Sequence, residues 1–418
     1  MIEDDIYRTS SQFRLWSYTE ASLRSLREKT NAIASERVRA ALRRAKEAHQ
    51  STTSANGTPQ TGSDGEGKKM DDKEIDCLTP EEELAFVRFY CEKTLELGET
   101  YKPALPTMVR ATAIQYLKRF YLTNSPMTYH PKSIMACALF LATKTDNYYM
   151  SLRQFAEGIP GKKPTTQEEV IGPEFLLMQG LRFTFDVRHP FRGLEGGIME
   201  LQAIAEGQGQ PGPHLTHQTP QQLQQKLLAI SPGPVRASSI SDRIGRAHGT
   251  TREILKTAAQ MTDAYFLYTP SQIWLSALLL ADRPLAEFYL DTKLGGPLTS
   301  TDIKPDPSDL QNPLYDLRTK LLRVLTDCSA LLQAYQPLSS DPGQMADLQR
   351  IAKKHHHCLN PEKKLAPKRT PAGTEASPAP ASESETERLA KKRKLEAEKA
   401  RSSQDIFGPE LVTERTKQ

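Results

Sequence analysis

Residues Tyr129 to Ala142 read YHPKSIMACALFLA, and residues Tyr268 to Ala281 read YTPSQIWLSALLLA; the two stretches agree at seven of fourteen positions. In the first, Ile134, Ala138 and Leu141 recur at i, i+4, i+7, and in the second Ile273, Ala277 and Leu280 do the same. That spacing lays three apolar side chains on one face of a helix. Pro131 and Pro270 stand where each helix would begin, a position at which the missing N–H costs nothing. A helix apolar nearly all round must be surrounded by others. Two such helices therefore predict two similar helical domains in tandem.

The rest of the chain can be read outward from these copies. Before the first, Leu78-Thr-Pro-Glu-Glu predicts a capped start, with Thr79 and Glu82 as a reciprocal box. Leu84, Val87, Cys91 and Leu95 then follow at helical spacing, and Val109, Ala113, Tyr116 and Phe120 mark one face of a second helix over 106–122. After the first copy, Ser151 and Gln154 predict another capping box ahead of Leu152, Phe155 and Ile159. A fifth helix starts near Thr166 or at Pro173 and runs to Leu181. The pattern restarts at His189, resumes over Thr251–Leu267, passes through the second copy and ends in a helix over roughly Pro313–Tyr335. Nothing reads as a strand, so the class is all-α.

The 418 residues hold only 38% hydrophobic side chains, with 23 Gly and 29 Pro, so part of the chain cannot build a core. The domain map divides accordingly. Residues 1–48 are an N-terminal segment and helix with Leu15, Leu23, Leu26, Ile33, Val38 and Leu42 as apolar positions, and 49–77 are a disordered linker. The first domain covers 78–187. The second covers 188–336 and carries an inserted loop, 206–245, with at most one short helix near Gln221–Leu228. Residues 337–418 form a largely disordered basic tail, with a solvated helix over 385–401. Net charge is +4, too weak alone to argue for nucleic acid. Five scattered cysteines with no C-x-x-C spacing fit a reducing compartment and no zinc site. No apolar run is long enough to span a bilayer, and the start MIEDDIY is unlike a secretory signal.

The more specific segments are Lys102-Pro-Ala-Leu-Pro106, Lys118-Arg-Phe-Tyr-Leu122, Tyr129-His-Pro131, His189-Pro-Phe-Arg-Gly-Leu-Glu195, Thr262-Asp-Ala-Tyr265 and Leu267-Tyr-Thr-Pro-Ser-Gln-Ile273. With Ser10-Ser-Gln-Phe-Arg-Leu-Trp16-Ser-Tyr18, they thread residues 10–335 in an order that resembles the cyclin family, H type. The resemblance implies two tandem five-helix cyclin boxes with flanking N- and C-terminal helices. It implies a regulatory, non-enzymatic protein with no cofactor. The implied partner is the cyclin-dependent kinase associated with general transcription factor IIH, which phosphorylates the C-terminal domain of RNA polymerase II. A RING-finger assembly factor is the implied third partner, and neither nucleic acid nor membrane is contacted directly.

By the same resemblance, Lys144 and Glu174 grip the kinase, and Met178, Phe183 and Phe185 face the same surface. From the residues alone, Lys144 would complement a helix C-terminus and Glu174 would be a solvated helix residue. Met178 at helical spacing would more often be core; with the resemblance, Met178, Phe183 and Phe185 are divided evenly between core and contact. The docking pattern that cell-cycle cyclins carry in their first helix is missing from Glu83–Leu97. Lys391-Lys-Arg-Lys394 fits a nuclear-import signal. Thr370 and Ser377, each followed by proline, fit a proline-directed kinase. His355-His-His-Cys358 lacks a second ligand pair and reads as polar tail rather than metal site. Arg37, Arg39, Arg43, Arg44 and Lys46 read as a charged helix face. Two rival readings remain: a promoter-binding general transcription factor of the IIB kind, against which the missing zinc ribbon speaks, and a helical scaffold with no kinase.

Overall fold

The computed structural model describes residues 2–55, 76–161, 164–212, 219–230, 237–294, 313–338 and 341–360, and among them there is no strand. The chain enters through α1 (Ile2–Thr9), α2 (Ser11–Trp16) and the long α3 (Glu20–Ala55). At 1.5 Å per residue α3 spans roughly 54 Å, and it runs on into the stretch expected to be linker.

The first bundle holds α4 (Pro80–Thr100), α5 (Thr107–Thr123), α6 (Pro131–Thr145), α7 (Leu152–Gly158), α8 (Gln167–Ile171) and α9 (Glu174–Gly180). The Thr79–Glu82 box forms as read, with Thr79 N–H donating to Glu82 Oε2 at 3.0 Å and Glu82 N–H to Thr79 Oγ1 at 3.2 Å. At Ser151 only half of the expected box exists: the hydroxyl accepts from Gln154 N–H, and Gln154 does not reach back. The fifth helix is two short ones, because Gly172 and Pro173 interrupt it. Proline supplies no N–H to continue the ladder, and its backbone sits at φ −80°, ψ −2°.

The second bundle holds α10 (Phe191–Ala205), α11 (Pro220–Ala229), α12 (Ala237–Lys256), α13 (Ala258–Met261), α14 (Ala264–Leu267), α15 (Pro270–Ala281), α16 (Arg283–Leu294) and α17 (Pro313–Gln333). The second bundle departs from the sequence-based expectation at three places. The insert ends at α12, which begins well before Thr251. The Thr251–Leu267 stretch is broken at Thr257 and again after Met261 into three helices. Finally, α16 follows α15 after the single residue Asp282, a turn too short to show in a periodicity scan.

The two repeated stretches are α6 and α15, each buried along its middle. Each bundle has its own core, and the cores interlock: Ala111 of α5 joins the second, and Met261 of α13 joins the first. The periodicity assigns α5 one buried face, yet the structure buries every residue from Ala111 to Leu122, including Thr112, Gln115, Lys118 and Arg119. Leu84 and Ile33, expected inside, are exposed instead.

The polar side of α5 meets the second bundle through a hydrogen-bonded seam. Gln115 donates to Gln260 Oε1 at 2.9 Å, and Lys118 donates to the carbonyls of Gln260 (3.1 Å) and Thr262. Burial pulls the Lys118 pKa down, yet both carbonyls accept from its ammonium. His189 lies 2.9 Å from Tyr265 OH and 3.0 Å from Thr112 Oγ1. Burial holds its pKa down at about 3, so it is neutral. Tyr265 OH already accepts from Gln260 Nε2 at 2.7 Å, which leaves its own proton for His189. That network assigns Tyr265 O–H as donor to Nδ1 and Nε2–H as donor to Thr112. The relay thus runs from Tyr265 of the second bundle through His189 to Thr112 of α5.

The N-terminal helices brace this junction. Arg119 donates to the Asp186 carbonyl (3.1 Å) and to Gln12 Oε1 (3.2 Å), and its guanidinium lies 5.1 Å from the Trp16 ring. Arg27 forms a bidentate pair with Asp263 at 2.7 and 2.8 Å. The tail expectation also needs correction, because Pro342–Leu359 is a helix, α18, packed on α4. Its Ile351 and Cys358 share a small core with Val38, Leu78, Phe86 and Met127. His355 is part of that docking, bonding the Pro126 carbonyl at 2.8 Å through Nε2 and facing the Phe86 ring at 4.6 Å. The remaining expectations for 56–75, 213–218 and 361–418, including Lys391–Lys394, Thr370 and Ser377, lie outside the described residues.

Candidate functional surface

Lys144 occupies the last turn of α6, where Asp146 closes the helix and Asn147 turns the chain at φ 56°. Its ammonium sits 4.8 Å from the Phe140 ring centroid and pairs with Glu174 Oε1. Glu174 opens α9 directly after the Gly172–Pro173 break. Without that interruption, α8 would continue and carry the carboxylate elsewhere on the helix. The two charges that the resemblance singles out, thirty positions apart, are therefore in contact. The Lys144 side chain is 43% exposed and that of Glu174 15%. A partly exposed ion pair of this kind is worth about 0.2–1 kcal/mol to the free fold.

The three apolar candidates separate. After α9 the chain turns through Arg182 and Phe183, both at φ 53°. Left-handed backbone is uncommon outside glycine and costs of order 1 kcal/mol per residue. The turn is held by Phe183 N–H donating to the Met178 carbonyl at 3.0 Å and Arg182 N–H to that of Gln179 at 2.9 Å. Trp16 of α2 reaches across to donate to Thr184 Oγ1 at 3.0 Å, with the Arg182 guanidinium 5.1 Å from its ring. The result points Phe183 outward, 57% exposed. Phe185 turns inward, half-buried against Tyr116 at 6.4 Å between centroids, and Met178 is half-buried on the first core.

Phe175, which the sequence reading did not single out, stands 62% exposed with its ring 6.3 Å from that of Phe183. Tyr149, just beyond α6, is 92% exposed. The signal for Phe175 was its place one residue after Glu174, on the face opposite the buried Leu177. The surface thus combines a mutually paired lysine and glutamate with bare aromatic rings on a braced turn. It has the composition of a protein-docking face, with aromatic anchors beside a charged pair.

The cyclin C-terminal domain family matches residues 189–333. Cyclin CCL1 of Saccharomyces cerevisiae is 30% identical over 377 residues, covering 86% of this chain and 82% of the relative. Cyclin-H of Xenopus laevis is 39% identical over 133 residues, 31% of this chain and 41% of that protein. Among solved structures, a chain of the CAK complex of Chaetomium thermophilum bound to ATP-gamma-S superposes with a TM-score of 0.59. It is 30% identical, and the match covers 90% of this chain and 99% of that one. A chain of the yeast TFIIK (Kin28/Ccl1/Tfb3) complex gives a TM-score of 0.50 at 27% identity, over 78% of this chain and all of that one. The chain belongs to the cyclin family, and its relatives fit the H type.

Proposed function

We propose that this chain is the regulatory subunit of a cyclin-dependent kinase in the transcription factor IIH kinase module, and that it activates the kinase allosterically. The solved complexes it resembles support a kinase partner, and the Tfb3 of the yeast complex supports a RING-finger third subunit. In such kinases a helix of the small lobe carries a glutamate that must pair with the strand-three lysine before ATP phosphates are correctly held. A subunit that binds the active arrangement better than the inactive one shifts the population toward it. The observation that carries the proposal is the Lys144–Glu174 contact beside the exposed Phe175 and Phe183. A lysine donor and a carboxylate acceptor at fixed separation can hold a carbonyl and an amide of one partner segment, with Phe183 and Met178 supplying apolar area. Phe185 supports the surface from behind.

The substrate of the activated kinase is the C-terminal domain of RNA polymerase II, and the site of action is the nucleus, with Lys391–Lys394 as the import signal. Residues 78–187 and 188–336 serve as the two cyclin boxes. The test is a kinase assay on that substrate with and without this chain, then with Lys144→Ala/Glu174→Ala. Stimulation should fall about tenfold or more, equivalent to ~1.4 kcal/mol of binding, with unchanged helical content. Undiminished stimulation by the double variant would mean the kinase docks elsewhere.

A further inference from the structure

Cys77 lies just ahead of α4 and Cys358 in the last turn of α18, yet the two meet in one small core: Cys358 Sγ donates to the carbonyl of Asp76, the residue before Cys77, at 3.9 Å, and Cys77 Sγ donates to that of Ser35 at 4.0 Å. They differ from the other cysteines. Cys91, Cys137 and Cys328 are sealed in the two main cores, where burial pushes their thiols up to about 12, 12 and 11. Cys77 is half-buried and borders an open groove of about 480 Å³ lined by Asn31, Ser35, Arg39, Asp76 and Thr79. Cys358 lies behind it, 3% exposed, in the small core that holds α18. One thiol faces a solvent-filled groove and its neighbour is sheltered, which is the arrangement of an attacking and a resolving cysteine.

We propose that Cys77 and Cys358 are a redox-sensitive pair that hydrogen peroxide closes into a disulfide, stapling α18 to the entrance of α4. In the first step the Cys77 sulfur attacks one peroxide oxygen. An S–O bond forms, the O–O bond breaks, and the departing hydroxide leaves as water after taking a proton. The Cys358 sulfur, giving up its proton, then attacks the sulfenic sulfur of Cys77. The S–S bond forms, the S–O bond breaks and a second water leaves. Two thiols lose two electrons and peroxide gains them, and a dithiol reductant reverses the change by exchange. The neighbouring Cys358 thiol, with help from Ser35 and the Arg39 charge and against partial burial and Asp76, holds the Cys77 thiol below the usual cysteine range. A lowered thiol spends more of its time as thiolate, the reactive form. The staple would join residues 281 positions apart and hold the docked state of α18, whose other anchors include the Lys354 pairs to Asp76 (3.0 Å) and Glu82 (2.8 Å).

The full chain, reduced and then given one equivalent of hydrogen peroxide, is digested without reductant and its peptides weighed. The expected product is a Cys77 peptide joined to a Cys358 peptide, two hydrogens lighter than their sum and separated again by dithiothreitol. With Cys358→Ser, Cys77 should instead accumulate as a sulfenic acid that dimedone captures. In the untreated chain at pH 7, iodoacetamide should label Cys77 at least tenfold faster than Cys91, Cys137 or Cys328, a readout that needs no variant. Absence of the joined peptide overturns the proposal whichever cysteine is oxidised, and so does labelling of Cys77 no faster than the three core thiols.

Discussion

Replacing Arg119 tests whether the seam between the bundles is structural. The guanidinium makes two charge-assisted bonds, to the Asp186 carbonyl and to Gln12 Oε1. Such bonds are worth roughly 1.5–3 kcal/mol each, about 4 together. Truncation to alanine also empties the space of a fully buried side chain, about 2 kcal/mol. Against this stands the cost of burying the charge, visible as a pKa lowered from 12.5 to about 10. At 1.36 kcal/mol per pKa unit that is about 3 kcal/mol recovered when the charge is removed. Arg119→Ala should therefore cost about 3 kcal/mol. Arg119→Met, which fills the space, should cost only about 1. Urea unfolding followed by far-ultraviolet circular dichroism gives both values, and Trp16 emission, from a ring stacked on the same guanidinium, reports the release of α2. A loss below 1 kcal/mol for alanine, or equal losses for the two variants, would refute this accounting.

Further outcomes can be checked independently. Neutral, buried His189 must take up a proton on unfolding, since its pKa is about 3 in the fold and about 6.5 when exposed. Its contribution is complete above pH 6.5 and is lost as pH falls, by about 2 kcal/mol at pH 5; His189→Gln should flatten the pH dependence of the urea midpoint over that range. On α10, a Cβ at Gly197 would stand 2.5 Å from Trp274 Cη2, whereas one at Gly196 meets nothing within 4 Å. Gly197→Ala should cost about 1–3 kcal/mol through overpacking, and Gly196→Ala should gain about 0.5–1 kcal/mol from helix propensity, both read by thermal melting. Trp16→Phe keeps the ring and loses the N–H bond to Thr184. It should weaken kinase stimulation through the Phe183 turn while lowering stability by about 1 kcal/mol, and unaltered stimulation would separate that turn from the docking surface.

The sequence revealed most where local signals are strong. The copies at α6 and α15 carry their own start signals, and Thr79, Pro80 and Glu82 mark the entrance of α4 residue by residue. Lys144 and Glu174 were found by resemblance, and no periodicity would have paired them. Their contact depends on the Gly172–Pro173 break, whose direction is fixed only by packing. The burial of Thr112, Gln115, Lys118 and Arg119 was invisible because polar residues on a helix read as its wet side until a second body covers them. The same holds for α18: lysines and histidines suggest a solvated tail, while Ile351, His355 and Cys358 form a narrow stripe that matters only once α4 is beside it. Phe183 escaped assignment to inside or outside because its direction is set by two left-handed residues that no hydropathy pattern encodes.

The way α5 is enclosed has a mechanical consequence. Greasy surfaces slide and rotate over one another at little cost, but donors and acceptors tolerate only small angular errors. The two halves are consequently keyed at one mutual orientation, with His189 and Gln260 acting as dowels. Any larger assembly that grasps both halves meets a gauge of fixed span, and a load applied to one end is felt at the other without slack.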